Sequence, residues 1–590
     1  MLGKRSSQDD LFNADSQYLA YVGRDSFYGY LAYHRHELFR DEDFASLYCL
    51  DNGRPSVPPS LLACALLLQW YDNVSDQEAV DRAKFDLRWK VALGLQMEDE
   101  PFAKGTLWLF RTQLIVHQQA RRLLEASLKH ARQQGYFKSR TMVVALDTTP
   151  IIGKGAVEDT YNLLAESLRQ VLRVLARLEN KTFDQFACEH DFRRYTASSF
   201  KGTVSIDWDN ENERHVVLQA LVADCDRVLA LARSVLARCT PEGDEAKQIL
   251  EATELLSKIL AQDVRRAPSG EATLIDGVAC DRIVSVHDPQ MRHGRKSVTQ
   301  RFDGYKASVA VDTESQVLTA VEVLAGNEHD ATNVEGLLQQ TEHATNTTVG
   351  TVLGDSAYGS AEQRVAAQDQ NRTLIAPVPK APATGRFTKE DFHTDLVKGT
   401  VTCPAGKCTS LWYGQKRRTK GGREFLCKAF RFSQEQCQAC PLATQCLKPG
   451  AHWRSVTLHE HEALVQAAKQ FQRTEQFRQV YRLRSTVEHR IARLVQLGLR
   501  KARFFGKAKL LFQLAMTAAV ANLTLIASEV NRSVSFMFSL LQTVITFLFP
   551  RARAFQNKSL SAPASGRSYT WLKPITVAND IKTRPFRLCL

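Results

Sequence analysis

The repeat of apolar and polar positions changes several times along the chain, and each change marks an element boundary. Leu61-Leu62-Ala63-Cys64-Ala65-Leu66-Leu67-Leu68 is an unbroken apolar run of helical length, preceded by the start signal Pro58-Pro59-Ser60. Ser75-Asp76-Gln77-Glu78 has the spacing of a capping box and predicts the next helix. A further helix is expected from Thr106 to about Arg132, after Lys104-Gly105. Residues 1–30 read as a polar arm and 31–132 as a compact helical domain, which could carry a helix-turn-helix or be a plain bundle. Near residue 140 the pattern switches. Met142-Val143-Val144-Ala145-Leu146 is short, apolar and rich in β-branched residues, which predicts a buried strand over Thr141–Leu146 ending at Asp147. Residues 158–265 return to a helical period, clearest in Leu163–Leu178 and Val216–Leu236, and read as a helical insertion. Strand patterns resume at Ile283–Val286, Lys306–Val311 and Val317–Val323. The last two flank Asp312-Thr313-Glu314-Ser315, a hairpin-like turn. A helix over Ala331–His343, a strand ending at Asp355, a helix from Ser360 and a strand at Thr373–Ala376 complete the series. Strand, hairpin, helix, strand, helix, strand is the order of a mixed α/β sheet, built from 138–157 and 280–394. A cysteine-rich island (395–455), core helices that are first basic and then apolar (470–530) and a variable tail (531–590) follow.

Composition narrows the partners. The 590 residues, 44% hydrophobic and 24% charged, suffice for several globular domains. A net charge of +13 favours a polyanion, with nucleic acid first and an anionic membrane surface second. The first residues carry no apolar segment, so no secretory signal is expected. Val534–Phe549 is apolar but contains Gln542 and is short for a membrane span, so a buried or interfacial helix is expected there. Thirteen cysteines in a chain with these features favour metal ligation or buried thiols over disulfides, and a cytoplasmic location.

Three carboxylates carry the candidate chemistry. Asp147 and Asp355 each follow a predicted strand and precede small or polar residues, Thr148-Thr149-Pro150 and Ser356-Ala357-Tyr358-Gly359. Residues just past the ends of neighbouring strands face a common crevice, although one such aspartate alone is more often a turn former or cap. Glu488 lies in Tyr481-Arg482-Leu483-Arg484-Ser485-Thr486-Val487-Glu488-His489-Arg490. Tyr481, Arg484 and Glu488 share one helical face. An exposed Arg484–Glu488 ion pair is the bland alternative. Eleven Lys/Arg against two acids between Arg473 and Lys509 favour a polyanion track instead. Two aspartates and a glutamate are the minimum for holding two hard, oxygen-seeking Mg²⁺ ions, which can drive in-line displacement at a phosphodiester.

The island holds Cys403-Pro404-Ala405-Gly406-Lys407-Cys408, Cys427, Cys437-x2-Cys440-Pro441 and Cys446. Its spacing predicts a structural Zn²⁺ site on Cys403, Cys437, Cys440 and Cys446, against the alternative of reduced cysteines without metal. His329-Asp330 caps the following helix or has a secondary role at the site. Arg292-His293-Gly294-Arg295-Lys296 is a solvated loop or a phosphate contact. Gly153-Lys154-Gly155 lacks the spacing of a phosphate-cradling loop.

These motifs resemble the DDE transposases of bacterial insertion sequences. Tyr481-x2-Arg484-x3-Glu488 is similar to the signature of the IS-four superfamily. Gly53-Arg54-Pro55 to Leu95, Asp288-Pro289 through Gly294-Arg295-Lys296, Phe302-x-Gly304-Tyr305-Lys306 and the Cys-Pro-x-Gly and Cys-x2-Cys-Pro island resemble its IS eleven-eighty-two group. The resemblance covers roughly residues 20–530. It implies a ribonuclease-H-like catalytic core in which Asp147, Asp355 and Glu488 hold two Mg²⁺ ions, with Mn²⁺ as a substitute. It also implies nicking of transposon ends, joining of the 3′-hydroxyl to target DNA, a homodimer on double-stranded DNA, and DNA-phosphate contacts from Tyr481 and Arg484; no membrane partner is expected, since Val534–Phe549 is short for a span. The signature's lysine seven residues after the glutamate is Val495 here, so Arg493, Arg500 and Lys501 are the basic residues expected to serve the DNA. A non-catalytic DNA-binding derivative, or a structure-specific nuclease on the same fold, are the competing readings.

Overall fold

Helices carry the chain from residue 14 to 133. They are α1 (Ala14–Val22), α2 (Phe27–Leu38), α3 (Pro59–Asp72), α4 (Asp76–Phe85), α5 (Leu87–Leu93), α6 (Lys104–Val116) and α7 (Arg122–Gln133). The computed structural model describes residues 1–5, 14–49, 52–240, 242–277, 279, 281–297, 299–380, 385–418 and 424–548. Proline stands in the first turn of α3, where its missing N–H is no loss, and the apolar run Leu61–Leu68 is wholly buried. α4 is capped by Ser75, whose side chain accepts from the Glu78 N–H. Two expectations change here. Part of the stretch read as a polar arm forms α1, which buries Ala14 and ties Asp15 to Arg35 at 2.5 Å. The single helix expected from Thr106 to about Arg132 is two, because the chain turns at Gln118 in the left-handed region (φ 58°). The polar His117-Gln118-Gln119 offers no apolar face to continue on.

The sheet contains β1 (Thr141–Ile152), β2 (Arg292–Arg295), β3 (Arg301–Asp312), β4 (Leu318–Ala325), β5 (Thr348–Leu353) and β6 (Thr373–Ile375). Its order is β4-β3-β1-β5-β6, with β2 pairing the start of β3. β1, β3 and β4 are antiparallel, whereas β5 and β6 run parallel to β1. The β3–β4 turn is set by Asp312, whose carboxylate accepts from the Ser315 N–H (2.9 Å) and hydroxyl (2.5 Å). Ile283–Val286, expected as a strand, is irregular. It is buried, but its backbone bonds to the Gln262 side chain and to Glu158 instead of a neighbouring strand. An apolar run without a free sheet edge beside it cannot become a strand.

The insertion between β1 and β2 is helical, with α8 (Thr160–Leu178), α9 (Glu211–Leu236) and α10 (Asp244–Asp263) around their own core of Leu168, Leu172, Phe186, Tyr195, Leu221 and Leu256. One face of the sheet buries α11 (Val334–Thr345), through Leu337 and Leu338 against Val144, Leu146, Ala320 and Val352. α12 (Ala361–Asp369) joins β5 to β6 and is capped by Ser360. Residues 393–458 form two small antiparallel sheets over Phe392, Val401, Phe430, Phe432 and Val456. Helices α13 (Glu462–Gln472), α14 (Glu475–Tyr481) and α15 (Ser485–Leu494) follow. A wide turn at Val495–Leu499, with Gly498 at φ 93°, then ends the run.

α16 (Lys507–Leu548) carries Asn522, fully buried, which receives the Leu318 N–H (2.9 Å) and donates to the Leu318 carbonyl (2.8 Å). Its segment Lys507–Val530 is long and apolar enough to cross a membrane, yet 83% of its apolar 18-residue window is buried in the protein, as befits a core helix. Met1–Ser528 form one compact unit, and the residues from Glu529 on are set apart from it, with a helical backbone to Leu548. Phe549 of the apolar stretch, and the tail expected beyond it, lie outside the described residues.

Candidate active site

Asp147 does not end a strand. β1 continues to Ile152, because β3 is longer than β5 and pairs with β1 after β5 has finished. The last parallel pair is Ala145–Leu353. Asp147 and Asp355 each stand two positions beyond it, so the register brings both to the same level on adjacent strands. Asp355 Oδ1 accepts from the Ala357 N–H at 2.8 Å and caps the turn Ser356–Tyr358. The capping role expected for a strand-end aspartate is therefore real here, and Asp355 faces the cleft as well.

Glu488 arrives from α15. Arg484, one turn earlier on the same face, donates to Glu488 Oε1 at 2.5 Å and to Asp147 Oδ2 at 2.8 Å. The first bond alone would be an ordinary helical ion pair. The second makes it something else, since Arg484 and Asp147 are only 15% and 17% exposed. One guanidinium thus ties the sheet to the basic helix.

The cleft has a volume of about 410 Å³. Its walls include Asp147, Thr148, Asp355, Arg484 and Glu488, together with Asp330, Arg295, Lys296, Phe302, Lys306 and Arg500. Asp330 is a fourth carboxylate, held by Lys306 Nζ at 2.8 Å. Its neighbour His329 accepts the Ala331 N–H (3.3 Å) and so serves the following turn. The resemblance motifs become intelligible here. Arg295 and Lys296 come from β2 and the turn after it, and Phe302 and Lys306 from β3. Tyr305 points the other way and donates to buried Asp288 at 2.5 Å. Gly304 (φ 149°) is required where β3 passes β1, since a Cβ would fall 2.2 Å from the Ile151 carbonyl oxygen. Of the three basic residues expected to serve DNA, Arg500 lines the cleft and bonds to the Pro150 carbonyl at 3.1 Å. Arg493 bonds to Gln496 and Lys501 is exposed beyond Ile152, neither forming part of the wall.

Electrostatics bind the group together. Burial raises the Asp147 pKa from 3.8 to about 6; Arg484 opposes this, and the charges of Asp355 and Glu488 add to it. Tyr481, stacked on Phe477 with ring centroids 5.1 Å apart, is raised by burial and then by Asp355, Glu488 and Asp147, against Arg484. All three carboxylates therefore act on one hydroxyl. Their ligating atoms do not all lie within 4.8 Å of one another. A cationic group already bridges two of them and the donors are all oxygen, which suits hard divalent ions.

Cys403, Cys437, Cys440 and Cys446 line one small cavity of about 30 Å³ beside Phe392 and Phe432. The Lys407 N–H donates to Cys403 Sγ at 3.3 Å. Burial pushes the Cys446 thiol up, and the other three thiols add to the shift while Arg454 opposes it. Cys427 is buried in the adjacent sheet and Cys408 is exposed. Four soft donors line one water-sized space, but no three of their sulfur atoms lie within 4.8 Å of one another, so they would have to draw together to ligate a single ion.

Residues 402–527 match the family model described as a transposase DDE domain, and residues 20–113 match a transposase domain (DUF772). No curated protein and no solved structure matches the chain. The first match takes in the cysteine segment and Glu488, and the second runs from the last turn of α1 into α6; Asp147 and Asp355 fall outside both. Together the matches indicate a DDE transposase, a DNA-cutting and DNA-joining enzyme of a family that generally uses divalent metal ions.

Proposed function

We propose that the DDE transposase indicated by these matches nicks transposon ends and joins the freed 3′-hydroxyl to target DNA by in-line phosphoryl transfer, with Asp147, Asp355 and Glu488 as its metal ligands. The observation that carries this reading is the Arg484 bridge between Asp147 of the sheet and Glu488 of α15, at a cleft that Asp355 also lines. The sheet order supports a ribonuclease-H-like core: an antiparallel β1-β3-β4 meander with β5 and β6 parallel to β1. The motif spacing supports the IS-four superfamily and its IS eleven-eighty-two group.

Two Mg²⁺ ions, or Mn²⁺ in their place, would activate the attacking oxygen and stabilise the leaving one. The protein's own groups prepare for them. Burial raises the Asp147 pKa to about 6, so its ionised form is disfavoured by burial and gains from any positive charge brought beside it. Arg484 supplies that charge in the free protein. It must release at least Asp147 for the ligands to close, which frees a guanidinium to meet a DNA phosphate. Tyr481 holds its hydroxyl beside the same carboxylates and is placed to donate to a phosphate oxygen. Arg295, Lys296, Lys306 and Arg500 ring the cleft and position the backbone of double-stranded DNA without reading sequence. End recognition falls to the N-terminal helices. Cys403, Cys437, Cys440 and Cys446 would hold a structural Zn²⁺, since four thiolates leave no open position. Two protomers acting together on the nucleoid, in the cytoplasm, would hold the two ends.

The test is strand nicking of labelled DNA carrying the element's own ends, with Mg²⁺. Asp355→Ala and Glu488→Ala should each lose nicking while retaining gel-shift binding to the ends. Wild-type rates in either variant would remove that residue from the reaction. Cutting of branched DNA without end sequences would favour a nuclease, and binding without any cutting by the unaltered protein a non-catalytic derivative.

A further inference from the structure

A second ligand set lies in the helical domain, in a different part of the chain from the cleft. Among the described residues, His34, Glu37 and His130 are the group of three His, Cys, Asp or Glu side chains whose ligating atoms all lie within 4.8 Å of one another. His34 and Glu37 are three apart on α2 and share a face, while His130 comes from α7. Glu37 Oε2 is 2.9 Å from His34 Nδ1 and 3.7 Å from His130 Nδ1, the latter too long for a hydrogen bond. His130 is 1% exposed, and its Nδ1 has no hydrogen-bond partner. The other ring nitrogen, Nε2, is engaged by the Tyr30 hydroxyl at 2.6 Å. Tyr30 thereby fixes the ring so that the unsatisfied nitrogen faces Glu37 and His34.

A buried polar atom without a partner is rare and calls for an explanation. A packing histidine would be expected to spend both nitrogens on neighbours. This one spends one on an orienting hydroxyl and aims the other at a carboxylate and a second imidazole, the arrangement by which metal-binding histidines are positioned. Two imidazoles and a carboxylate suit ions such as Zn²⁺, Co²⁺ or Ni²⁺ rather than Mg²⁺. Metal–ligand distances of about 2.0–2.2 Å require only small side-chain adjustments from these positions.

We propose that His34, Glu37 and His130 bind one divalent transition-metal ion of the Zn²⁺ class, with water completing the shell, and that this ion fastens α2 to α7. α7 leads directly into β1, the strand of Asp147. The ion would therefore fix α2 against the helix that precedes that strand. The site is independent of the metal set assigned to the cleft and of the cysteine cavity.

The experiment uses the full chain carrying Cys437→Ser and Cys440→Ser, to silence the thiolate cavity. After chelation and dialysis it is titrated with Co²⁺ and, separately, equilibrated with Zn²⁺ and analysed for bound metal. Expected are one equivalent of zinc, visible cobalt bands without a thiolate charge-transfer band, and a rise in Tm on adding Zn²⁺. Glu37→Gln, at a half-exposed side chain (52%), and His34→Gln should each weaken zinc binding by at least about tenfold and abolish the Tm rise. Unchanged zinc affinity in both variants overturns the proposal. If a variant misfolds, the cobalt spectrum of the parent decides: no ligand-field bands, or bands requiring sulfur, also overturn it.

Discussion

Replacing Asp147 by asparagine should make the metal-free protein more stable, and the gain should depend on pH in a defined way. Asp147 is 17% exposed, accepts from Arg484 at 2.8 Å and from its neighbour's Thr148 N–H at 2.8 Å. Burial still outweighs these bonds and lifts its pKa from 3.8 to about 6. One pKa unit corresponds to 1.36 kcal/mol, so the ionised carboxylate costs the fold about 3 kcal/mol at neutral pH. The sign follows from linkage. As pH rises the unfolded chain releases this proton first, so stability is full below about pH 4 and is lost as pH rises through about 6. Asparagine has the shape without the charge and lacks this dependence. The expected result is a variant whose advantage is near zero at pH 4 and reaches about 2–3 kcal/mol above pH 7. The measurement is thermal unfolding in chelator across that range, for wild type and Asp147→Asn. Addition of Mg²⁺ should narrow the gap by stabilising only the wild type. A difference that is flat with pH, or a variant less stable than wild type at pH 8, would refute the reasoning.

Asn522→Leu should be among the most damaging core substitutions, because it strands the buried Leu318 N–H and C=O, each costing about 1–3 kcal/mol; chemical denaturation would measure it. Arg111→Met should destabilise by about 3–5 kcal/mol, since Arg111 holds Asp76 through two bonds of 2.8 and 2.7 Å at a site where the arginine is 8% exposed. A shift in thermal midpoint within error of zero would show the pair to be dispensable. Arg295→Ala and Lys296→Ala should weaken binding to all DNA sequences alike and lower the slope of log affinity against log salt by about 0.9 for each phosphate left without its cation. Gel-shift titration at several salt concentrations reads this directly, and a sequence-selective loss would contradict the phosphate role.

Much of the framework was legible in the order of residues because it is locally encoded. The Leu61–Leu68 helix, its proline start, the Ser75 and Ser360 caps and the Asp312–Ser315 turn are decided within a few positions. The strand content of 141–146, 306–311 and 318–323 follows from β-branched, apolar runs. Misreadings occur where a partner decides. The length of β1 depends on β3, which outlasts β5 and keeps Asp147 within a ladder. Ile283–Val286 has strand composition but bonds to the Gln262 side chain. The break between α6 and α7 rests on one left-handed residue, Gln118.

The chain alone therefore determined which carboxylates, cysteines and basic residues it could bring to chemistry, and on what kind of element each would ride. Tertiary structure decided what they meet. Arg484 reaches Asp147 as well as Glu488, Asp330 and Lys306 join the cleft wall, and His130 turns an orphaned nitrogen toward His34 and Glu37. Periodicity acts over a turn of helix or a pair of residues in a strand. Convergence acts through strand register and helix packing across hundreds of positions, and no local pattern encodes that distance.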